Sequence, residues 1–255
     1  MKLENLAICI LSYERHEKIK KTLDSYKESS FLDMVDESFI YFNKMSKDDI
    51  SLAEDYEMVY CGCVYNLGIG WGMVSAINLV ESDYVLFLEG DFILPLSKDD
   101  TYRQLSMGLS LVKQKKLDIV KYRFLKDYLT TSNEAKNWLS KGGRNSFRDN
   151  VSYIGFAVEE NFGHENSDIC ELIDKDDEIE MWKMPSQYAC WSNNPFLCKK
   201  QWFLDYANEI GFNLNDRVLE DRDRHPDFEL QVEDSWTKKN CNVGIIKPAL
   251  FEHQY

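Results

Sequence analysis

Hydrophobic positions in the first hundred residues come in short blocks of two kinds, and their alternation predicts the architecture. "LAICILSY" (residues 6–13) is apolar almost without a break, the pattern of a strand covered on both faces. In "ERHEKIKKTLDSYK", which follows, Ile19, Leu23 and Tyr26 fall at i, i+4 and i+7, giving a helix with one buried stripe. "SFIYFN" (38–43) reads as a second strand, and "EMVYCGCVYN" (57–66) contains a third. "LGIGWGMVSAINLVES" then sets Ile69, Met73, Ala76, Ile77 and Val80 at helical spacing, and "DYVLFL" (83–88) is a fourth strand. Strands alternating with helices imply right-handed crossovers and a parallel sheet, so the expected class is α/β.

The second half is less regular. "LDIVKYRFL" (117–125) and "VSYIGFAV" (151–158) read as strands, and residues 126–150 between them as a polar loop. The acidic stretch "ENSDICELIDKDDEIE" reads as solvated surface. "KKQWFLDYANEIGF" is a helix carrying Trp202, Phe203, Tyr206 and Ile210, stopped by Gly211. Phe228, Val232 and Trp236, at i, i+4 and i+8, predict a further helix over about 228–239 that ends near Asn240.

Composition narrows the function classes. The 255 residues are 44% hydrophobic and 13% aromatic, enough for a substantial core. No repeat, low-complexity tract or Pro/Gly/Ser linker divides them. The net charge of −14 argues against a nucleic-acid or anionic-membrane binder, which needs a basic face. The apolar run at Leu6–Leu11 is too short for a signal-peptide core or a membrane span, so the expected location is cytoplasmic. The seven cysteines are scattered and form no CxxC, which fits reduced core cysteines and disfavours zinc.

The chemistry collects at the ends of the strands. Ligands of open α/β sheets bind beyond the carboxyl ends. Ser12 and Tyr13 follow the first strand, Asn43 the second, Asn66 the third, and Glu89-Gly90-Asp91 the fourth. Two carboxylates one residue apart, between apolar stretches, need a compensating cation or hydrogen bonds. Spaced i, i+2 on a turn, they suit a hard divalent cation; the plain alternative is a turn with two solvated acids.

This order of motifs resembles the GT-A glycosyltransferases, particularly the inverting family 2. Ser12-Tyr13-Glu14-Arg15, Asn66-Leu67-Gly68, Asn78 and Glu89-Gly90-Asp91 carry the resemblance, which covers residues 6–94 well and the rest in patches. It implies a Rossmann-like, mostly parallel sheet flanked by helices in a single domain. Residues 1–98 would form the nucleotide-sugar half and 99–255 the acceptor half. It also implies a nucleotide-diphosphate sugar as donor and Mn²⁺ or Mg²⁺ as cofactor. Ser12, Tyr13, Arg15, Asn43, Asn66, Gly68, Glu89 and Asp91 would then contact the donor, with Asp91 on the metal. Two departures stand out: Glu89 replaces the usual first Asp, and Asn43 stands where an acid often holds the base.

Inverting transfer needs a further carboxylate to deprotonate the acceptor hydroxyl. Asp227/Glu229 and Glu233/Asp234 compete. Glu229 lies in the first turn of the predicted helix beside its buried stripe, where the helix dipole favours a carboxylate. The resemblance selects the same residue as general base, with Asp227 next; surface acids making capping contacts are the plain alternative. His253 resembles the C-terminal His that completes the metal site in many GT-A enzymes. Trp191 could stack on an acceptor sugar and Asn193 and Asn194 bond its hydroxyls, although Trp191 fits a core position equally well. The acceptor would be a glycan, protein or lipid-linked hydroxyl.

Two other readings remain. A nucleotidyltransferase presents acids on a similar sheet, but "SYERHEKIKK" lacks that class's Gly-rich loop. A non-catalytic glycan-binding or scaffold protein derived from the fold is the other, hinted at by Glu89. A Rossmann dehydrogenase is disfavoured because no GxGxxG follows the first strand, and no P-loop motif is present.

Overall fold

The computed structural model describes residues 2–124, 162–189, 191, 193, 195–214, 228–248 and 250–254. The strand expected over 151–158, the loop over 126–150, Asn194 and Asp227 lie outside these residues.

The first half follows the predicted alternation: β1 (Leu3–Ser12), α1 (His16–Glu28), β2 (Val35–Asn43), α2 (Lys47–Asp55), β3 (Val59–Cys63), α3 (Gly68–Leu79) and β4 (Tyr84–Glu89). A two-residue strand, β5 (Phe92–Ile93), and a long helix, α4 (Lys98–Lys113), come next. The second half contains β6 (Ile119–Lys121), β7 (Arg123–Phe124), a short α5 (Phe162–Glu165), β8 (Glu171–Lys175), β9 (Glu180–Pro185) and β10 (Phe196–Lys199). It continues with α6 (Lys200–Glu209), α7 (Phe228–Lys239), β11 (Asn242–Lys247) and β12 (Phe251–His253). Both helices expected late in the chain are present, and each is followed by a residue with positive φ: Gly211 at 93° and Asn240 at 52°.

Nine strands make one sheet in the order β3-β2-β1-β4-β10-β6-β11-β9-β8, so both halves of the sequence share it. β3, β2, β1 and β4 are mutually parallel. β10 runs against β4 and β6, and β9 against β11 and β8. The other strands share one direction, so the sheet is mostly parallel. The acidic stretch read as solvated surface supplies β8, an exposed edge strand, and a turn at Asp176 gripped by Arg103 through Nη2–Oδ1 at 2.8 Å.

The unbroken apolar run of β1 has a direct explanation. Ala7, Cys9 and Leu11 enter one core, beneath α3, α6 and α7, while Leu6, Ile8 and Ile10 enter the other, beneath α1 and α4. Side chains alternate across the pleat, so a strand covered on both faces must be apolar throughout. Among the described residues no helix is long and apolar enough to cross a membrane.

One contact brings α4 close to the sheet. A Cβ built on Gly108 would lie 2.0 Å from the Tyr122 hydroxyl and 3.6 Å from Val120. Because Tyr122 is fully buried, its ring has nowhere to retreat. Gly108→Ala should destabilise the fold by about 1–3 kcal/mol, the usual cost of overpacking, despite alanine's better helix propensity. Urea unfolding with an unchanged m-value checks this.

Candidate functional site

The parallel strands β1, β2, β3 and β4 end at one edge of the sheet, and β10 starts beside the end of β4, with Phe196 opposite Phe87. The chain just before Phe196 therefore lies at the same edge as Glu89-Gly90-Asp91. A second sheet of three short strands, β5-β12-β7, caps this edge and brings His253 opposite Phe92.

Asp91 is the centre of the first cluster. It is 5% exposed, and its Oδ2 receives the Arg15 guanidinium at 2.7 Å and faces His253 Nε2 at 3.3 Å. Oδ1 is buried with no hydrogen-bond partner among the described residues. Burial alone would raise the pKa of this carboxyl. The His253 hydrogen bond, with the charges of His253, Arg15 and Lys18, outweighs burial and holds the pKa below its ordinary value. Asp91 is thus held as a carboxylate, as a cation ligand must be.

Backbone contacts fix the position of this acid. Gly90 N–H donates to Leu11 O at 2.9 Å, tying the turn to β1, and Gln254 N–H donates to Asp91 O at 2.8 Å. The Gln254 side chain donates to Thr22 Oγ1 at 2.7 Å, and Lys18 Nζ donates to Gln254 O at 2.8 Å. Thr22 Oγ1 in turn donates to Gly90 O at 3.1 Å. Sequence reasoning selected Arg15 but missed Lys18, Thr22 and Gln254. The available signal was that Lys18 lies in the first turn of α1, which begins immediately after Arg15 at its N-cap.

The residues present fit a divalent cation in part. A buried carboxylate oxygen without a partner and an imidazole nitrogen beside the same carboxylate are hard and borderline donors of the right kind. No group of three or more His, Cys, Asp or Glu side chains able to hold a metal occurs among the described residues. Such a cation would need further oxygens from a ligand, as expected for one that bridges to phosphates.

Asn43 is the centre of a second cluster. Asn43 is buried, its Oδ1 accepts from Leu67 N–H at 2.7 Å, and its Nδ2 donates to Asn66 Oδ1 and to Gly68 O. Asn66 Oδ1 also accepts from Gly68 N–H at 2.9 Å. Both ends of the Asn43 amide thus knit β2 to the start of α3, and Gly68, at φ 73°, makes the turn from β3 into that helix. Ser12 is buried close by, and Tyr13, just past the end of β1, is 40% exposed. Asn43→Ala would strand the buried Leu67 N–H and should cost about 1–3 kcal/mol, measured as a shift in thermal unfolding.

Trp191, Asn193 and Glu229 form the third cluster. Trp191 is buried, with ring centroids of Trp236, Phe228 and Phe196 at 4.9, 5.4 and 5.5 Å. It is a core residue, the alternative that the sequence left open, and its ring faces other aromatics. Its Nε1–H donates to Asn193 Oδ1 at 3.2 Å, and Asn193 N–H donates to Glu229 Oε1 at 2.8 Å. Glu229 lies in the first turn of α7 and is exposed, while Phe228 and Val232 are buried. Asn193, three residues before β10, thus ties the Glu229 carboxylate at the start of α7 to the segment that leads into the sheet.

No family model and no curated protein matches the sequence. Solved structures do match. Staphylococcus aureus TarS 1-349 in complex with UDP aligns over 100% of this chain and 61% of that one, at 14% identity and TM-score 0.55. Its complex with UDP-GlcNAc aligns over 100% of this chain and 59% of that one, at 13% identity and TM-score 0.55. The chain thus spans about three-fifths of the TarS fragment. With the strand order, the acid turn after β4 and the capping His strand, this likeness establishes that the chain has the GT-A glycosyltransferase fold.

Proposed function

We propose that the chain is a metal-dependent glycosyltransferase that moves a sugar from a nucleoside-diphosphate donor to a hydroxyl acceptor, with inversion. The observation that carries this reading is the convergence on one sheet edge of Asp91, Arg15, Lys18 and His253, with Glu229 tied by Asn193 to the segment that leads into the sheet. TarS, solved with UDP and with UDP-GlcNAc, supports a nucleotide sugar as the donor.

Each residue then has a role. Tyr13 and the Asn66–Gly68 turn line the nucleoside side, and Asn43 holds that turn rather than the base. Arg15, whose side chain is 62% exposed, is free to swing from Asp91 to a diphosphate oxygen, and Lys18 adds a second positive charge. Asp91 and His253, with Glu89 close in sequence, would hold Mn²⁺ or Mg²⁺, which would neutralise charge on the diphosphate when bound. Glu229 takes the proton from the acceptor hydroxyl. The acceptor oxygen forms its bond to the anomeric carbon on the face opposite the diphosphate. The bond from that carbon to the phosphate oxygen breaks, and its electron pair leaves with the nucleoside diphosphate.

Thermal unfolding with a panel of nucleoside diphosphates, each with Mn²⁺, with Mg²⁺ and with EDTA, tests the donor half. A ligand at 100 times its dissociation constant should stabilise the fold by about 2.7 kcal/mol. The expected result is one nucleotide that stabilises with metal and loses its effect in EDTA. No shift from any nucleotide, together with no Mn²⁺-dependent donor hydrolysis, would favour a non-catalytic scaffold instead.

A further inference from the structure

A lysine lies inside the sheet where an apolar residue is expected. Lys121, at the end of β6, is 2% exposed and pairs with Phe196 on one side and Ile245 on the other. Lysine is among the side chains least often fully buried, because its ammonium gives up strong hydration. Its Nζ lies 4.3 Å from the ring centroid of Trp191 and 4.9 Å from that of Phe196. An indole face is the strongest aromatic partner for a cation, and the attraction grows once water is excluded. The positive charge is also felt by the buried Cys198 thiol on β10.

One line of contacts leads from the Trp191 ring to Glu229. The ring that Lys121 holds donates its Nε1–H to Asn193, and Asn193 donates its backbone N–H to Glu229. A backbone bond supports the same segment: Tyr122 N–H donates to Pro195 O at 3.0 Å. We propose that Lys121 and Trp191 are positioning residues for Glu229: the ammonium fixes the indole, the indole fixes Asn193, and Asn193 aims the carboxylate. This rests on the reading of Glu229 as general base. Lys121 and Trp191 are too buried to touch substrate; both act through Glu229. Small displacements of a catalytic group are costly, up to about 100-fold for a shift near 1 Å.

The test uses Lys121→Met, which keeps the aliphatic stem and removes the charge, and Trp191→Phe, which keeps a ring and removes the N–H. Amide hydrogen exchange is read first, because it needs no substrate. Lys121→Met should raise exchange at the Asn193 amide at least tenfold, with Ile8 and Ile10 in β1 unchanged as a control for folding. Unchanged protection at Asn193 would overturn the proposal.

Turnover is read as nucleotide released to water with Mn²⁺ from the sugar donor that the nucleotide panel selects, or from UDP-GlcNAc. Each variant should lower kcat tenfold or more with donor KM unchanged, and neither should add to the loss in a Glu229→Gln background, because groups acting as a unit are not additive. A full further loss in that background would mean that Lys121 and Trp191 act only through general stability. If Glu229→Gln keeps wild-type turnover, the base assignment falls. The exchange result then decides alone whether the contact chain exists. If Lys121→Met does not fold, Trp191→Phe carries both measurements.

Discussion

Asp91→Asn is expected to remove metal-dependent nucleotide binding and to lower donor turnover by about 10²–10³-fold, the usual loss when one electrostatic element of a leaving-group site is removed. The amide keeps the size of the side chain but cannot act as an anionic ligand for a cation. It also ends the charge attraction of Arg15 and His253, which meet at Oδ2. The backbone of residue 91 should stay in place, because Gln254 N–H donates to its carbonyl and the neighbouring Gly90 is tied to Leu11. Thermal unfolding without ligand should thus change far less than the nucleotide-induced shift. Retention of a metal-dependent nucleotide shift by this variant would remove Asp91 from the metal site.

Glu229→Gln carries the second large effect. General-base catalysis contributes about 10²–10⁴-fold, so kcat should fall by that factor while nucleotide binding and donor KM stay near wild type. The substitution is close to isosteric, and the glutamine carbonyl can still accept the Asn193 N–H that Glu229 Oε1 accepts at 2.8 Å. A loss of activity would then report the missing base rather than a displaced loop. Steady-state kinetics with varied donor separate the two cases. A raised KM with unchanged kcat would assign Glu229 to binding.

The two halves of the molecule were not equally legible in the sequence. Strands β1, β2 and β4 announce themselves because both faces are covered, leaving runs of apolar residues with no alternation. Helix α2 went unread: of its nine residues only Asp49 and Ala53 are buried, and its clearest signal is a Ser46–Asp49 capping box. Strand β9 follows an acidic stretch and mixes Glu180 and Lys183 with its buried residues, and the four-residue β10 follows a segment that reads equally well as ligand-binding loop.

At the candidate site, the strand pattern placed Asp91 at the end of a strand, whereas Arg15 was selected through the family resemblance. The approach of His253 to Asp91 was available only through a family resemblance, since nothing local couples residues so far apart in sequence. The hydrogen bonds of Asn43 could not be read either: a sequence shows an amide's capacity for hydrogen bonds but not the backbone groups that take it up. Lys121 was read simply as part of a strand, and only its burial in the fold sets it apart.

The capping strand β12 has a consequence for how the protein is made. Arg15 and Asp91 are synthesised early, and the four parallel strands that carry them could begin to pair while translation continues. Yet Gln254, which clamps Asp91 to α1, and His253, which faces its carboxylate, emerge some 160 codons later. A nascent chain stalled before β12 would have the strand ends without their cap. Nucleotide binding should accordingly appear late and in one step, only in chains long enough to include residues 251–254 and free of the ribosome.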